Sequence, residues 1–295
     1  MHTPTVACVL VNWNNWRDTS DCLASLARQV YPNLRVVVVD NASTNDSLAQ
    51  LRAAHPPNAS SLTYIANNEN AGFPRACNLG ARHPLAAGAD FLWFLNNDTV
   101  APPDTTSKLV ASALENPNIG ITGAVLYYAH NPSQIQAWGG GTISRWTAYN
   151  RHYLAPSAFG PGSYITFASA LIRRDCFDQL GGLFEGVFMY FEDADFCLRA
   201  HQAGWQLAVA PGTAILHKEG GTVKGRAALL ERIVTISGLT FLGRHAPIPA
   251  IAQFTFLMLR LAKRLLRGNW PSLGAVLQGA NDWLHNRVTP FTEQP

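Results

Sequence analysis

Short apolar runs alternate with amphipathic stretches through the first hundred residues of the chain. Runs rich in β-branched and other apolar residues at 6–11, 34–39, 62–66 and 91–95 predict buried strands. Apolar positions at helical spacing predict helices over 18–29 and 73–82. Because strands that alternate with helices are typical of a parallel sheet covered by helices, the pattern predicts an α/β fold.

A different pattern occupies residues 130–165. This segment is rich in Gly, Pro, Trp and Tyr and has weak periodicity. It predicts loops and short strands that cover a cleft. Its aromatic residues Trp138, Trp146 and Tyr149 would either pack in the core or stack on sugar rings.

The composition changes again after Gly220. Residues 229–242 have a helical pattern, and two prolines then interrupt it before an apolar, basic segment. We expect two halves of one domain followed by a C-terminal helical extension. The expected boundaries are 1–100, 101–222 and 223–295.

Composition and charge fit a globular enzyme. Hydrophobic residues make up 47% of the 295 residues and charged residues 14%, which argues against extensive disorder. The net charge of +3, without a dense Lys/Arg run in the first 220 residues, argues against nucleic-acid binding. The five cysteines are scattered without CxxC spacing, and no secretion signal precedes the first apolar run. We therefore expect a cytoplasmic protein with reduced thiols.

Polar side chains follow the predicted strands at the point where each strand ends. In open α/β sheets, the carboxyl ends of the strands form the edge at which ligands bind. Four strand ends that bring polar groups to one edge therefore indicate a binding site. The residues concerned are Asn12, Asp40, Asn41, Asn67, Asn68, Asn97 and Asp98.

An acidic cluster set among aromatic residues is the strongest candidate for catalysis. Glu192, Asp193 and Asp195 are close in sequence, and like charges this near repel unless a cation, a proton or a helix N-terminus stabilises them. One carboxylate of such a cluster can act as a general base while the others set its position and charge. The alternative is an acidic first turn of a half-buried helix.

Two further segments offer groups that suit a nucleotide. At Asp40 a carboxylate could accept hydrogen bonds from a base or a ribose, although a turn or a helix N-cap explains this residue equally well. The amide-rich stretch from Asn70 to Asn78 places Gly72 before a helix and Arg75 in its first turn. Such groups suit a planar base and an anionic pyrophosphate, whereas Gly72 has the alternative role of supplying a backbone angle.

Asp98 and His217 each follow or end an apolar run and have the chemistry of metal ligands. A divalent cation that bridges a nucleoside diphosphate needs one or two protein oxygens, because phosphates and waters fill the other positions. A neutral imidazole could complete the coordination shell. The alternatives are a capping carboxylate and a structural histidine.

Four blocks of sequence, taken in order, resemble the inverting nucleotide-sugar glycosyltransferases of glycosyltransferase family 2. The resemblance covers about residues 5–222, and the nearest group is the bacterial rhamnosyltransferase-like members that build surface polysaccharides. Any one block is common, whereas the four in this order are specific. The blocks are VVVVDNAS at 36–43, NAGF at 70–73 with Asn78, FLNND at 94–98, and GGLFE at 181–185 running into FMYFEDAD at 188–195.

The resemblance implies a GT-A fold, which has a mostly parallel central sheet flanked by helices. It also implies a UDP- or dTDP-sugar donor and a divalent metal, Mg²⁺ or Mn²⁺, held by the last Asp of a D-x-D-like motif. On this chain Asp98 would hold the metal, with His217 assisting. Asp193 would be the base for the acceptor hydroxyl, and Glu192 and Asp195 would orient groups around it.

The D-x-D position departs from the family pattern, because its first carboxylate is replaced by Asn96. An amide there can still bind a ribose or a metal-bound water. Arg75 would help to neutralise charge on the leaving diphosphate. By the resemblance and the strand-end pattern together, the nucleotide-sugar contacts are Asn12, Asp40, Asn41, Asn70, Gly72, Arg75, Asn78, Asn96 and Asn97.

The C-terminal extension allows two interpretations. Its apolar run at 248–259 is too short for a bilayer span of roughly 20 residues. The pattern suits an amphipathic helix on the anionic inner face of the cell membrane, and equally a helix packed on the catalytic domain or across a homo-oligomer interface. The apolar face holds Phe254, Leu257, Met258, Leu261 and Leu265, and the basic flank holds Arg260, Lys263, Arg264 and Arg267.

We therefore expect an inverting glycosyltransferase that moves a sugar, with rhamnose as the candidate, to a hydroxyl of a polysaccharide or lipid-linked glycan. A Rossmann oxidoreductase is disfavoured, because NWNN at 12–15 stands where GxGxxG would follow the first strand. The alternative outside the enzymes is an inactive scaffold that binds a sugar nucleotide or a membrane. The sugar, the acceptor, the linkage and the oligomeric state stay open.

Overall fold

The computed structural model describes residues 3–58, 60–218 and 227–287. Within these ranges the strands are β1 (Val6–Asn12), β2 (Leu34–Asp40), β3 (Leu62–Ala66), β4 (Phe91–Leu95), β5 (Thr99–Val100), β6 (Ile119–Tyr128), β7 (Asn131–Trp138), β8 (Gly140–Ile143), β9 (Asn150–His152), β10 (Ser163–Ile165), β11 (Ser169–Arg173) and β12 (Gln206–His217). The helices are α1 (Trp16–Leu26), α2 (Ser47–Ala54), α3 (Phe73–Arg82), α4 (Pro84–Ala87), α5 (Thr105–Leu114), α6 (Arg174–Gln179), α7 (Glu192–Gln202), α8 (Ala227–His245), α9 (Pro249–Leu266) and α10 (Trp270–Leu284).

A central sheet of nine strands organises the described residues. Strands β3, β2, β1 and β4 lie side by side in parallel. Strand β11 is antiparallel to both β4 and β6, and so joins this group to the parallel pair β6 and β12. Strand β5 pairs with β12, β7 pairs with β6, and a small sheet has the order β10-β8-β9. The α/β expectation is confirmed, with helices on the faces of a mixed sheet.

Both faces of the sheet are buried, which explains why its strands read as continuous apolar runs. Successive residues of β1 alternate between two hydrophobic clusters: Val9 belongs to one, with α3, and Leu10 to the other, with α1. Each face therefore carries its own layer of helix. Fully burying side chains of this size contributes about 1.5–3 kcal/mol each.

Most element boundaries lie close to the sequence prediction, and the clearest difference is the position of α1. The strands expected at 6–11 and 34–39 each extend by one residue, and the helix expected over 18–29 spans Trp16–Leu26 instead. It ends early because Gln29 is held by the start of α5: its Nε2 donates to Pro102 O at 2.6 Å and its Oε1 accepts from Thr106 N at 3.0 Å. The C-terminal helix expected over 229–242 is longer and spans Ala227–His245.

The C-terminal extension is helical, as expected, and packs on the catalytic domain through α8. Ser237 Oγ donates to Met189 O at 2.8 Å, just before α7. Two arginines of the expected basic flank point inward: Arg260 and Arg264 form ion pairs with Glu231 of α8. That part of the flank prediction is wrong, because burial of Glu231 beside α9 draws both cations to it. Among the described helices, none combines the length and the apolar content needed to cross a membrane.

Candidate active site

A cleft of about 570 Å³ opens at the carboxyl edge of the sheet. The ends of β1, β2, β4 and β12 form its floor, the turn before α7 forms one wall, and α8 contributes Leu230 and Val234. Asp98 and Asp193 both line this cleft. The predicted site residues among its lining are Asn41, Asn70, Gly72, Asn96, Asn97, Asp98, Glu192, Asp193 and His217.

The turn before α7 has an unusual backbone. Tyr190 and Phe191 both have positive φ, 72° and 68°, a region that non-glycine residues rarely adopt. Such conformations persist where the surrounding structure over-determines them, and they cluster at functional sites. Here Phe73 N donates to Phe188 O at 2.8 Å, which ties the turn to α3. A Cβ at Gly72, where φ is +85°, would lie 2.4 Å from the same carbonyl oxygen, so a glycine is required there.

Burial raises the pKa values of the two carboxylates that begin α7 to different extents. Glu192 is 8% exposed, and its Oε2 has no hydrogen-bond partner among the described residues. Burial, followed by the charge of Asp193, raises the pKa of Glu192 to about 8. Burial also raises the pKa of Asp193, to about 6, while the Ala194 N–H, 2.7 Å from Oδ1, opposes the shift. Burial raises the pKa of Glu192 further than that of Asp193, so Asp193 is the more readily ionised of the pair.

Asp195 faces away from the cleft, contrary to the expectation that it orients groups at the catalytic site. Its carboxylate bonds to Arg199 at 2.8 Å, Arg244 at 2.9 Å and His245 at 2.7 Å. Burial alone would raise the pKa of Asp195, but the His245 hydrogen bond and the two arginine charges outweigh it and lower the pKa to about 2. Asp195 joins α7 to α8 and supports the site indirectly.

A carboxylate and an imidazole face each other at the opposite side of the cleft. Asp98 Oδ1 lies 3.2 Å from His217 Nε2, because β12 pairs with β5 at His217 and Thr99. The other ring nitrogen, Nδ1, is 2.8 Å from Gln136 Oε1. Gln136 offers only an acceptor at that atom, so Nδ1 carries a proton, and Nε2 lies within reach of both Asp98 Oδ1 and Asn96 Nδ2, the latter at 3.3 Å.

This pair fits a divalent cation bound together with a diphosphate. A carboxylate oxygen and an imidazole nitrogen are both ligands that divalent cations accept. In the described ranges no three His, Cys, Asp or Glu side chains gather to hold an ion by themselves, so phosphate oxygens and water would complete the shell. No Lys or Arg of the described part of the chain lines the cleft.

Buried amides and hydroxyls hold the strand ends in place beneath the cleft. Asn12 Nδ2 donates to Asp40 Oδ1 at 2.7 Å, and Asn12 Oδ1 accepts from Thr19 Oγ1 at 2.8 Å. Ser43 closes the turn with bonds to both carboxylate oxygens of Asp40. Neither Asn12 nor Asp40 lines the cleft. The turn alternative is thus visible at Asp40, and its contact with a base or ribose stays a prediction.

A second amide network borders the cleft. Asn41 Nδ2 donates to Asn70 Oδ1 at 2.7 Å, and Asn67 Nδ2 donates to Asn41 Oδ1 at 3.0 Å. On the other side, Asn97 Nδ2 donates to Thr19 Oγ1 at 2.8 Å. These bonds fix the amides that line the cleft in orientations suited to a planar, polar ligand.

Besides Asn12 and Asp40, two further residues expected to contact the nucleotide lie outside the cleft lining. The Arg75 side chain is half exposed and pairs with Glu69 and Glu185 at 3.6 and 3.5 Å. Asn78 is buried within α3, where it bonds the backbone N–H and C=O of Leu183 at 2.9 and 2.8 Å. The structure therefore does not place Arg75 against a pyrophosphate, and it gives Asn78 the work of anchoring the loop before α7.

The sequence analysis did not single out several residues of the cleft. Gln136, which bonds His217, lies between Ile135 and Ala137 in β7, and no local sequence pattern marks it out. Leu230 and Val234 belong to a helix far along the chain. The aromatic residues that line the cleft include Trp13 and Tyr164, whereas Trp138, Trp146 and Tyr149 are absent from its lining.

This topology, with an acidic turn facing an Asp–His pair across the carboxyl edge of the sheet, is that of a GT-A glycosyltransferase. The chain belongs to glycosyl transferase family 2, whose model matches residues 8–181. The protein is therefore a glycosyltransferase. The match ends before α7, so Asp193 and His217 lie beyond it.

Relatives of this chain include transferases of L-rhamnose. The N-acetylglucosaminyl-diphospho-decaprenol L-rhamnosyltransferase of Mycobacterium tuberculosis is 27% identical over 73% of this chain and 76% of its own. The dTDP-rhamnosyl transferase RfbF of Shigella flexneri is 23% identical over 86% of this chain and 80% of its own. The chain spans only 22% of another relative, an uncharacterised protein of Sinorhizobium fredii that is 28% identical.

A solved structure supports the fold. The mannosyltransferase PcManGT from Pyrobaculum calidifontis, in complex with GDP-Man and Mn²⁺, superposes with a TM-score of 0.62 at 18% identity. The superposition covers 96% of this chain and 88% of that one. At this identity the similarity establishes the GT-A fold and does not identify the donor of this chain.

Proposed function

We propose that this protein transfers a sugar, with rhamnose as the candidate, from a dTDP- or UDP-sugar to a hydroxyl of a polysaccharide or lipid-linked glycan. The observation that carries the proposal is that Asp98 and Asp193 line one cleft. A diphosphate held at the Asp98 side would place the sugar between the two carboxylates. Both rhamnosyltransferase relatives transfer rhamnose, which supports the choice of sugar, and the lipid-linked acceptor of the Mycobacterium tuberculosis relative supports the acceptor class.

In the proposed mechanism Asp193 takes the proton of the acceptor hydroxyl as its oxygen attacks the anomeric carbon from the face opposite the diphosphate. One displacement of this kind inverts the anomeric configuration. Glu192 stays protonated beside the base, which keeps a second negative charge away from it. Asn41 and Asn70 border the part of the cleft where the nucleotide would lie.

Asp98 and His217 are the residues that would hold Mg²⁺ or Mn²⁺. The bound cation supplies neutralisation of the charge on the departing diphosphate. Gln136 keeps the His217 ring in the orientation that presents Nε2. Asn96 Nδ2, 3.3 Å from the same nitrogen, would bind a ribose or a metal-bound water in place of the missing carboxylate. Cytoplasmic location stays a prediction of the cysteine pattern.

Donor binding and transfer are tested separately. First, dTDP-rhamnose, UDP-sugars and GDP-mannose are each added with Mg²⁺ or Mn²⁺, and the rise in Tm is measured; one nucleotide class should stabilise the protein above the others. Then nucleoside diphosphate release is measured with a short-chain N-acetylglucosaminyl-diphospho-lipid as acceptor. The proposal expects release with dTDP-rhamnose that depends on the acceptor. The choice of rhamnose would be overturned if the protein bound a different donor and released nucleoside diphosphate from that donor alone.

A further inference from the structure

The outer face of α9 is apolar and exposed along the whole helix. Six large apolar side chains belong to it and are between 39% and 87% exposed. They recur at helical spacing over a rise of about 22 Å. Single exposed apolar residues are normal, whereas a contiguous set of this size marks an interaction surface. We define this outer face as Ile251, Phe254, Met258, Leu259, Leu265 and Leu266.

Contacts on the opposite side fix the rotation of the helix. Phe256 is 4% exposed and packs where Gly238 of α8 leaves no room for a side chain. Gln253 Nε2 donates to Leu239 O at 3.0 Å, and Arg264 pairs with Glu231 at 2.5 Å. The outer face consequently points away from the protein because the inner face is held by packing, a hydrogen bond and an ion pair.

The charges on α9 and α10 have one sign at the exposed surface. Lys263 and Arg267 are exposed beside Leu265 and Leu266 at the C-terminal end of the outer face. The single carboxylate on the two helices is Asp282, which is 3% exposed and paired with Arg232. A basic rim beside an apolar surface complements a bilayer, whose acyl region accepts the apolar side chains and whose headgroups supply negative charge.

We propose that the outer face of α9 docks this protein on an anionic lipid surface, with Lys263 and Arg267 against the headgroups. Helix α10 adds Trp270, 64% exposed, directly after the basic end. Tryptophan suits the boundary between headgroups and acyl chains, because its ring is apolar and its N–H remains hydrated.

Helix α8 lies between the docking face and the cleft. Its Leu230 and Val234 line the cleft, and its Gly238 contacts Phe256 on the inner side of α9. Docking would hold the mouth of the cleft at a set position relative to the lipid surface. The inference stands independently of which sugar the protein transfers.

Flotation with lipid vesicles tests the inference on the full chain. Vesicles of phosphatidylcholine with about 30% phosphatidylglycerol are compared with pure phosphatidylcholine, because Lys and Arg near an anionic surface favour binding to it. Wild type should float with the anionic vesicles. Phe254→Ser/Met258→Ser/Leu265→Ser should reduce binding to both at least tenfold. Lys263→Glu/Arg267→Glu should remove the preference for anionic lipid; Arg260 and Arg264 are left intact because they pair with Glu231.

Matched variants separate docking from general changes of surface. Val30→Ser/Leu114→Ser/Leu154→Ser removes three exposed apolar side chains elsewhere, and Arg17→Glu/Arg28→Glu reverses two exposed charges on and after α1. Both should float as wild type does. Equal flotation of wild type and the α9 variants would overturn the inference. So would a wild-type dimer in sedimentation equilibrium that only the α9 serine variant dissociates, which would make this face a self-association surface.

Discussion

His217 Nε2 lies 3.2 Å from Asp98 Oδ1, and His217 Nδ1 lies 2.8 Å from Gln136 Oε1. Strands β7 and β12 and the turn between β4 and β5 thus contribute to one small polar arrangement. Because the Gln136 bond places a proton on Nδ1, the ability of His217 to bind a metal through Nε2 would depend on this neighbouring side chain.

Gln136→Leu should therefore weaken binding of Mn²⁺ in the presence of a nucleoside diphosphate by about 10–100-fold. His217→Ala should weaken it at least as much, because a ligand itself is lost. Electron paramagnetic resonance of free Mn²⁺ measures both. His285→Ala, at the exposed end of α10, is the control and should bind as wild type does. Unchanged Mn²⁺ affinity in Gln136→Leu would contradict the role given to the hydrogen bond.

Asp193→Asn should lower kcat by about 10²–10⁴-fold, because the amide cannot take the acceptor proton. The affinity for the nucleotide sugar should change little, since Asp193 lies across the cleft from the Asp98 side. Rates of diphosphate release and the donor-induced shift in Tm measure the two effects. The matched control is Asp178→Asn on α6, where the side chain is 61% exposed. Turnover within a few-fold of wild type would remove Asp193 from the mechanism.

The dependence of activity on pH follows from the ionisation of Asp193. The base must be ionised, and burial raises the pKa of Asp193 to about 6. Log kcat/KM should therefore rise with pH and level off above about 6, rather than near 4 as for an ordinary aspartate. Initial rates across this range test it, with circular dichroism at each pH to exclude unfolding. A flat profile between pH 5 and 8 would count against the assignment.

Asp195→Ala should destabilise the fold, because Arg199 and Arg244 would lose the carboxylate that balances their charge and His245 would lose its hydrogen bond. We expect a loss of about 3–5 kcal/mol in the free energy of unfolding. Urea denaturation measures it, and Asp178→Ala, which breaks a largely exposed pair, should cost about 0–1 kcal/mol.

The lowered pKa of Asp195 also gives its contribution a pH dependence. The stabilisation is present above the usual aspartate pKa of 3.8 and is lost as pH falls through about 2. Wild type should therefore lose stability toward acid more steeply than Asp195→Asn does. Parallel acid dependence of the two urea midpoints would show that another group is responsible.

Periodicity made the sheet and its binding edge predictable, because strand ends and the polar residues after them are local features. Asn41, Asn97 and Asp98 reach the cleft as that pattern predicted. It was harder to predict which carboxylate of the acidic cluster faces the cleft. Helical geometry turns Asp193 and Asp195 about 200° apart, so both could not face the cleft, but only the packing of α8 decides which one does. The positions of the Gln136 and Arg75 side chains likewise depend on contacts with residues that are remote in sequence.

The contacts of Asp195 that join α7 to α8 limit where the chain can be shortened without losing part of the site. An expression fragment limited to the family match at 8–181 would retain most of the sheet yet lack the proton acceptor, the imidazole and the wall formed by α8. Ending instead after β12 would restore the first two but would leave Asp195 with Arg199 alone of its three partners, because Arg244 and His245 belong to α8. The smallest catalytically useful unit therefore extends through His245.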